Sequence, residues 1–275
     1  MSAMKAVILG WFCIFSSAAA ERNWKLVWAD EFEGNGVPDP KKWTNEVGFI
    51  RNAEAQYYTV ARQENARVEN GKLVIEARKE PFRNVRFQEG SSRNGKEFAD
   101  YTSASLTTEG LGEWTHGRVE VRAKLPQGRG VWPAIWMLGT NRRVVGWPAC
   151  GEIDIMEYVG FEPDVIHANI HTRKYNHVKK TGKGARLVVE RPYETFHKYA
   201  IEWSGEKIDF FVDEKNYFTY AKETGAGNDV WPFDQPHYLI LNLAIGGAWG
   251  GQKGIDDSIF PARYEIDYVR VYQAE

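Results

Sequence analysis

Apolar residues along the chain recur at every second position and in short runs, not at helical spacing. The stretches KLVIEAR (72–78), GRVEVRAKL (117–125), HANIHT (167–172), HKYAIEW (197–203), KIDFFVD (207–213), YLILNLAI (238–245) and EIDYVRVYQ (265–273) are rich in β-branched or aromatic residues. Turn-forming clusters separate them, so each reads as a strand. VEVRAKL puts Val119, Val121, Ala123 and Leu125 on one face, and Glu120, Arg122 and Lys124 on the other. KIDFFVDEKNYF reads as a hairpin turning near residues 213–216. The turn-rich insertion RNVRFQEGSSRNGKEFAD (83–100) reads as a mobile surface loop between two strands. No long amphipathic helix is evident. Many short strands without helical spacers predict an all-β protein, a two-sheet antiparallel sandwich or jelly roll, and fit poorly with a parallel sheet and crossover helices.

Ahead of the strands, Lys5 precedes the apolar run AVILGWFCIF (6–15) and the small residues SSAAA (16–20). That order is the one of a secretory signal peptide. Residues 1–20 are therefore set aside, and the protein is expected to be secreted, to the outside or the periplasm. The apolar run is too short to cross a bilayer, and no other stretch approaches the needed length, so no membrane attachment is expected after signal removal. Cys13 is poorly placed for a lipid anchor, because bulky Trp11 and Phe12 precede it. Residues 21–275 contain no proline- or serine-rich linker and no internal repeat, and they read as a single domain. A net charge of −2 argues against a nucleic-acid partner. With the signal removed, Cys150 is left alone, so no internal disulfide is expected. It reads as a small buried hydrophobe beside an acidic strand. The 11 tryptophans are core material first, but Trp faces also stack on sugar rings, which makes a carbohydrate site worth testing.

GEIDIME (151–157) sets Glu152, Asp154 and Glu157 among apolar neighbours. In a strand, Glu152 and Asp154 share a face and Ile153 and Ile155 point to the core. Strict alternation would send Glu157 to the core as well, where an unpaired carboxylate is costly. One β-bulge restores it to the acidic face, and bulges are common beside active sites. Three adjacent carboxylates cannot all ionise freely, and their titrations are coupled. Glycoside hydrolysis uses such a set, with one carboxylate ionised and another protonated. A solvated strand face or a cation site is the plainer reading of the spacing alone. Nearby, GVWPAIWML (130–138) puts Trp132, Ala134 and Trp136 on one face if extended, and Trp147 precedes Glu152 by five residues. These rings are core residues or sugar platforms. His167, Asn169 and His171 share a face downstream; His171 is the stronger candidate for orienting a sugar hydroxyl or an acid. No His and Cys pattern suggests zinc, and neither a G-x-S-x-G nor a phosphate loop occurs.

GEIDIMEYVG resembles the E-x-D-x-x-E signature of family-16 glycoside hydrolases. NAEAQYYT (52–59), YTSASLTTEG, HGRVEVRAKLPQGRGVWPAIWML, WPFDQPHYLILNLAIGG and YEIDYVRVYQ resemble the laminarinase-like branch. The resemblance spans nearly the whole chain after residue 20, in order. It implies a jelly roll whose concave sheet forms an open substrate cleft, and endo-hydrolysis of β-linked polysaccharides with retention. By position, Glu152 matches the nucleophile, Glu157 the general acid/base and Asp154 the assisting acid between them. Trp132 and Trp136 match cleft tryptophans, and Asn52, Arg118, Trp147 and His171 match positions near the sugar. No cofactor is implied for catalysis. A structural calcium is implied, with Glu31, the Gly71 carbonyl and Asp267 as its ligands. The expected partner is a laminarin-type β-1,3-glucan, bound by a monomer. Mixed-linkage glucan or another β-linked polysaccharide is the sibling reading, and a non-catalytic glucan-binding sandwich the reading from another class. Sulfated substrates should demand a basic cleft, and no basic cluster adjoins the acids in the sequence.

Overall fold

The computed structural model describes residues 23–275; the expected export signal, residues 1–20, lies outside them. Two β-sheets stack face to face. The larger runs Lys215–Ala221, Lys207–Val212, His197–Trp203, Gly117–Lys124, Ala262–Ala274, Lys72–Arg83, Phe98–Ser103 and Gln56–Tyr58. Trp24–Asp30 pairs with Ala262–Ala274, and Ala66–Glu69 pairs with Lys72–Arg83. The smaller sheet runs Lys183–Val188, Val165–His171, Glu152–Glu157, Val131–Gly139, His237–Ile245, Ser105–Thr107 and Thr44–Asn45, with Glu113–Trp114 beside His237–Ile245. Pairing is antiparallel except between Gln56–Tyr58 and Phe98–Ser103. Helix in the described residues is confined to single turns at Arg142–Val145 and Gly247–Gly250 and a 3₁₀ turn at Asp257–Ile259. This is the all-β sandwich that the alternation predicts.

The core fills the space between the sheets. Val119, Val121 and Ala123 of the larger sheet share one buried cluster with Ile135, Ile153, Ile170 and Leu241 of the smaller. Each valine, isoleucine or leucine among them contributes about 1.5–3 kcal/mol by leaving water. The alternate residues of Gly117–Lys124 turn away from the core and meet partners on the outer face, as Arg122 does with Asp267 and Lys124 with Glu265.

Several boundaries differ from the sequence reading, each for a physical reason. Lys72–Arg83 continues past residue 78 through Pro81. Its register against Phe98–Ser103 shifts between Lys79 and Phe82, and a bulge is where a strand tolerates a residue without an N–H. The connecting insertion therefore narrows to residues 84–97. The hairpin forms, with Asp213 and Glu214 both at positive φ (47° and 66°), the turn that matches strand twist. Asp213 holds that conformation by accepting the Lys198 N–H at 2.9 Å. Strands such as Ala66–Glu69 and Gln56–Tyr58 escaped the sequence reading because they are too short to show a period. Lys183–Val188 is an edge strand with Val188 exposed, so little apolar demand marks it.

Candidate active site

The acidic strand Glu152–Glu157 is flanked by Val131–Gly139 and Val165–His171. Asp154 pairs with Trp136, and Met156 with Ile135, which leaves Ile155 as the extra residue. On the other side Asp154 pairs with Asn169 and Glu157 with His167, across the same irregularity. Ile155 and Met156 both lie in the core, and Glu152, Asp154 and Glu157 all line one cleft of about 300 Å³. The bulge thus turns the strand by one residue between the second acid and the third. Both ends of the strand are held by close backbone approach. A Cβ on Gly139 would lie 2.1 Å from the Cys150 carbonyl oxygen, and one on Gly160 would lie 1.8 Å from that of Gly128.

Each acid has its own partners. Glu157 accepts from the Trp132 indole N–H on one oxygen and from the Asn169 amide on the other, both at 3.1 Å. Glu152 accepts from the Trp147 indole at 2.9 Å. The His171 Nε2 lies 3.2 Å from Asp154 Oδ2 and 3.5 Å from Glu152 Oε1. Asp154 Oδ2 makes no aligned hydrogen bond, so the contact with His171 is one of charge.

Burial is the main cause of the acids' titration behaviour, and their mutual repulsion adds to it. Burial and then the Asp154 charge push the Glu157 carboxyl up to about 8. Burial and then Glu152 push Asp154 up to about 7. Burial also raises Glu152, opposed by His171 and reinforced by Glu157. For His171 burial acts downward, but contact with Asp154 and the charges of Glu152 and Glu157 outweigh it and bring the imidazole up to about 9. Near neutral pH the set therefore holds an imidazolium, and Glu157 holds its proton. Glu152, Asp154 and His171 are close enough together to bind a metal ion. A metal would have to displace the imidazole proton, which the surrounding carboxylates favour.

The cleft wall is braced from beneath. The Trp136 indole donates to Asn242 Oδ1 at 2.7 Å, and the Asn242 amide donates to Tyr58 Oη at 3.0 Å. The Tyr58 hydroxyl and the Gln56 amide both donate to Glu54 Oε2, at 3.3 and 2.8 Å. The Arg51 guanidinium lies over the Trp136 ring at 4.8 Å and pairs with Glu46. The rotamer of Trp136 is fixed on its edge and its face.

Trp132, Trp136, Trp147 and Asn52 line the cleft, and His171 packs behind Trp147 with ring centroids 5.9 Å apart. His167 stands opposite Glu157 but turns to Glu162 at 3.3 Å and to the edge of Trp249. Arg118 is a correction. It lies in the other sheet, on the face away from the core, bonded to Glu120, Glu202 and Glu214 at 2.7, 3.0 and 3.1 Å. Its neighbour Val119 points inward, so alternation sends Arg118 outward and away from the acids. Glu54, Arg51, Asn242 and Asn169 were not among the expected site residues. Asn242 had a signal: it interrupts the apolar run YLILNLAI.

The three positions proposed for calcium do not fit the ion as they stand. Arg270 grips both Glu31 oxygens, at 2.8 and 2.9 Å, and Arg122 holds Asp267 at 2.5 Å. Each carboxylate is already neutralised by a guanidinium, which leaves a turn carbonyl at Gly71 as the remaining donor.

The family model for glycosyl hydrolases family 16 matches residues 53–270. A β-glucanase of Rhodothermus marinus is 50% identical over 260 residues, covering 91% of this chain and 86% of its own. The crystal structure of a laminarinase from Rhodothermus marinus superposes with a TM-score of 0.84 at 49% identity, covering 93% of this chain and 99% of that one. SCLam, a non-specific endo-β-1,3(4)-glucanase from the same family, superposes with a TM-score of 0.83 at 48% identity, covering 92% of each chain.

Proposed function

Because the chain belongs to glycosyl hydrolase family 16, we propose that it cleaves internal β-1,3-glucosidic bonds of laminarin-type glucans with retention of configuration. The observation that carries this reading is the bulge at Ile155, which brings three carboxylates onto one tryptophan-walled face. In the first step the Glu152 carboxylate forms a bond to the anomeric carbon. The bond from that carbon to the glycosidic oxygen breaks, and Glu157 gives its proton to the departing oxygen. In the second step the Glu157 carboxylate takes a proton from water, water oxygen bonds to the anomeric carbon, and Glu152 leaves. Asp154 and His171 keep the charges apart. The imidazolium favours the ionised form of Glu152, and Asp154 holds a proton more readily than an ordinary aspartate. Trp132 and Trp147 steer the two outer acids through their indole N–H groups, and the Trp faces are flat surfaces for pyranose rings.

The enzyme is read as secreted, with residues 1–20 removed on export, and as acting alone as a monomer. Calcium is given no step. Mixed-linkage β-1,3-1,4-glucan is the second reading, favoured by the likeness to SCLam. The test is reducing-end release from laminarin and from barley mixed-linkage glucan, by the wild type and by Glu152→Gln. Release of oligosaccharides from laminarin is expected, falling about a thousandfold or more in the variant. Release from the barley polymer with none from laminarin replaces the first substrate by the second. Undiminished turnover in the variant removes Glu152 from the mechanism.

A further inference from the structure

The insertion at residues 84–97 is not used by the mechanism, yet it reaches the cleft. Its residues Gly90, Ser91, Ser92, Arg93, Gly95 and Lys96 wall a second cavity of about 620 Å³. Ile50, Arg51, Asn52, Glu54 and Arg93 line this cavity and the catalytic cleft alike, so the two are one continuous groove.

The charge of this annex is one-sided. Glu54 is the acid that lines it, and the Gln56, Tyr58 and Asn52 donors already engage both of its oxygens. Arg51 is bound to Glu46. Arg93 and Lys96 are exposed, and among the described residues no carboxylate approaches either within 4.0 Å. Elsewhere guanidinium groups are generally paired, as at Arg62, Arg67, Arg118, Arg122 and Arg270. The described arginines that lack a carboxylate within that distance are Arg83, Arg86, Arg93 and Arg142. Of these, Arg93 lines both cavities and Arg142 lines the cleft, while Arg83 and Arg86 lie in or beside the insertion and line neither. Arg93, Lys96 and Arg142 thus give this groove three cations without a carboxylate partner, in a protein whose net charge is −2. An annex lined by Arg51, Arg93 and Lys96 against the one acid Glu54 raises the local concentration of anions.

We propose that the annex binds anionic substituents, sulfate or carboxylate, on sugar units of the polysaccharide that lie beyond the catalytic centre, with Arg93 and Lys96 as the recognising groups. The inference rests on the polysaccharide-hydrolase reading above. It adds a substrate class, β-glucans carrying acidic groups, to the neutral chain. Arg93 presents a planar fork suited to two oxygens of one sulfate or carboxylate, and Lys96 a single point charge.

The test compares kcat/KM on laminarin, on carboxymethylated laminarin and on sulfated laminarin at equal substitution. It uses the wild type, Arg93→Ala/Lys96→Ala and the charge-preserving Arg93→Lys/Lys96→Arg. The readout is the ratio of acidic to neutral polymer. In the alanine variant that ratio is expected to fall about five- to tenfold, as two screened surface cations allow. The charge-preserving variant is expected to keep about half of it or more, since both charges remain although the Arg93 fork is moved, and about 0.5 M salt to erase it in the wild type. Whichever acidic polymer loses more identifies the substituent. Equal losses on neutral and acidic polymers, or no change in the ratio, overturn the inference and leave the glucanase reading intact. A parallel binding measurement with Glu152→Gln separates the two ideas. If no β-glucan is hydrolysed, but the acidic polymers bind more tightly than laminarin and lose that margin in the alanine background, the annex stands and the catalytic reading falls.

Discussion

Glu157 ties activity and stability to the same proton. Its folded pKa of about 8 stands above the ordinary glutamate value of 4.5. In the proposed mechanism the protonated acid of the first step is present below about pH 8 and lost above it, and loss of that proton is the expected alkaline limb of the rate profile. The sign for stability follows from linkage. The proton stabilises the fold fully below about 4.5, and the contribution disappears as pH rises through about 8. Glu157→Gln is neutral at every pH, so at pH 9 it is expected to melt a few degrees above the wild type, at about 2–4 °C for each kcal/mol. At pH 4 the two melting points should converge. Equal Tm values at pH 9 would show that Glu157 is not held protonated by burial. His171 is the opposite charge in the set. Removing it as His171→Gln takes a cation from Glu152 and Asp154, so their pKa values rise. The acid limb of kcat is expected to move up by about one pH unit, with kcat down about tenfold. A merely structural role would lower kcat without moving the limb. At this scale the three acids were legible in the sequence, because an acidic triplet among isoleucines has few uses. Asn169 and Asn242 could be seen there as polar residues in strands, but not their partners Glu157 and Trp136, since each acts on a residue of another strand.

The acidic strand works because its neighbours fix its height above the sheet. Gly160 follows the strand with the Gly128 carbonyl pressed against the place a Cβ would take. Gly160→Ala must push that loop away, and is expected to cost about 1–3 kcal/mol, read as a lower Tm, with kcat falling because the Glu157 end of the strand shifts. An unchanged Tm would mean that the loop yields freely. The position of the bulge was legible from the spacing of acids against isoleucines, and its identity as Ile155 came from the register. Strand order was out of reach of periodicity. His237–Ile245 lies beside Val131–Gly139, so the partner of Trp136 is 106 residues away in sequence. The continuation of Lys72–Arg83 through Pro81 was out of reach for a related reason: a proline has a place in the ladder only where a bulge provides one.

Across the whole molecule the two sheets divide the labour. The smaller carries the chemistry on its outer face, and the larger carries ion pairs such as Arg118 with Glu120 and Arg122 with Asp267. Arg118→Met is expected to leave kcat/KM within about twofold and to lower stability by about 1–3 kcal/mol, because Glu120 loses its charged partner. A large rise in KM with an unchanged Tm would return Arg118 to the substrate. The sequence resemblance could not make this distinction, since it matches positions and not the sheet each one joins. Beside Glu152, in the apolar cluster with Leu138 and Tyr238 on the cleft side of the sheet, lies Cys150, buried and free, its thiol pushed up to about 11 by burial and then by Glu152. A thiol so protonated and enclosed is closed to alkylating dyes while the sheet is intact. The rate at which such a dye marks Cys150 therefore clocks the opening of the catalytic wall, a stopwatch already built into the chain.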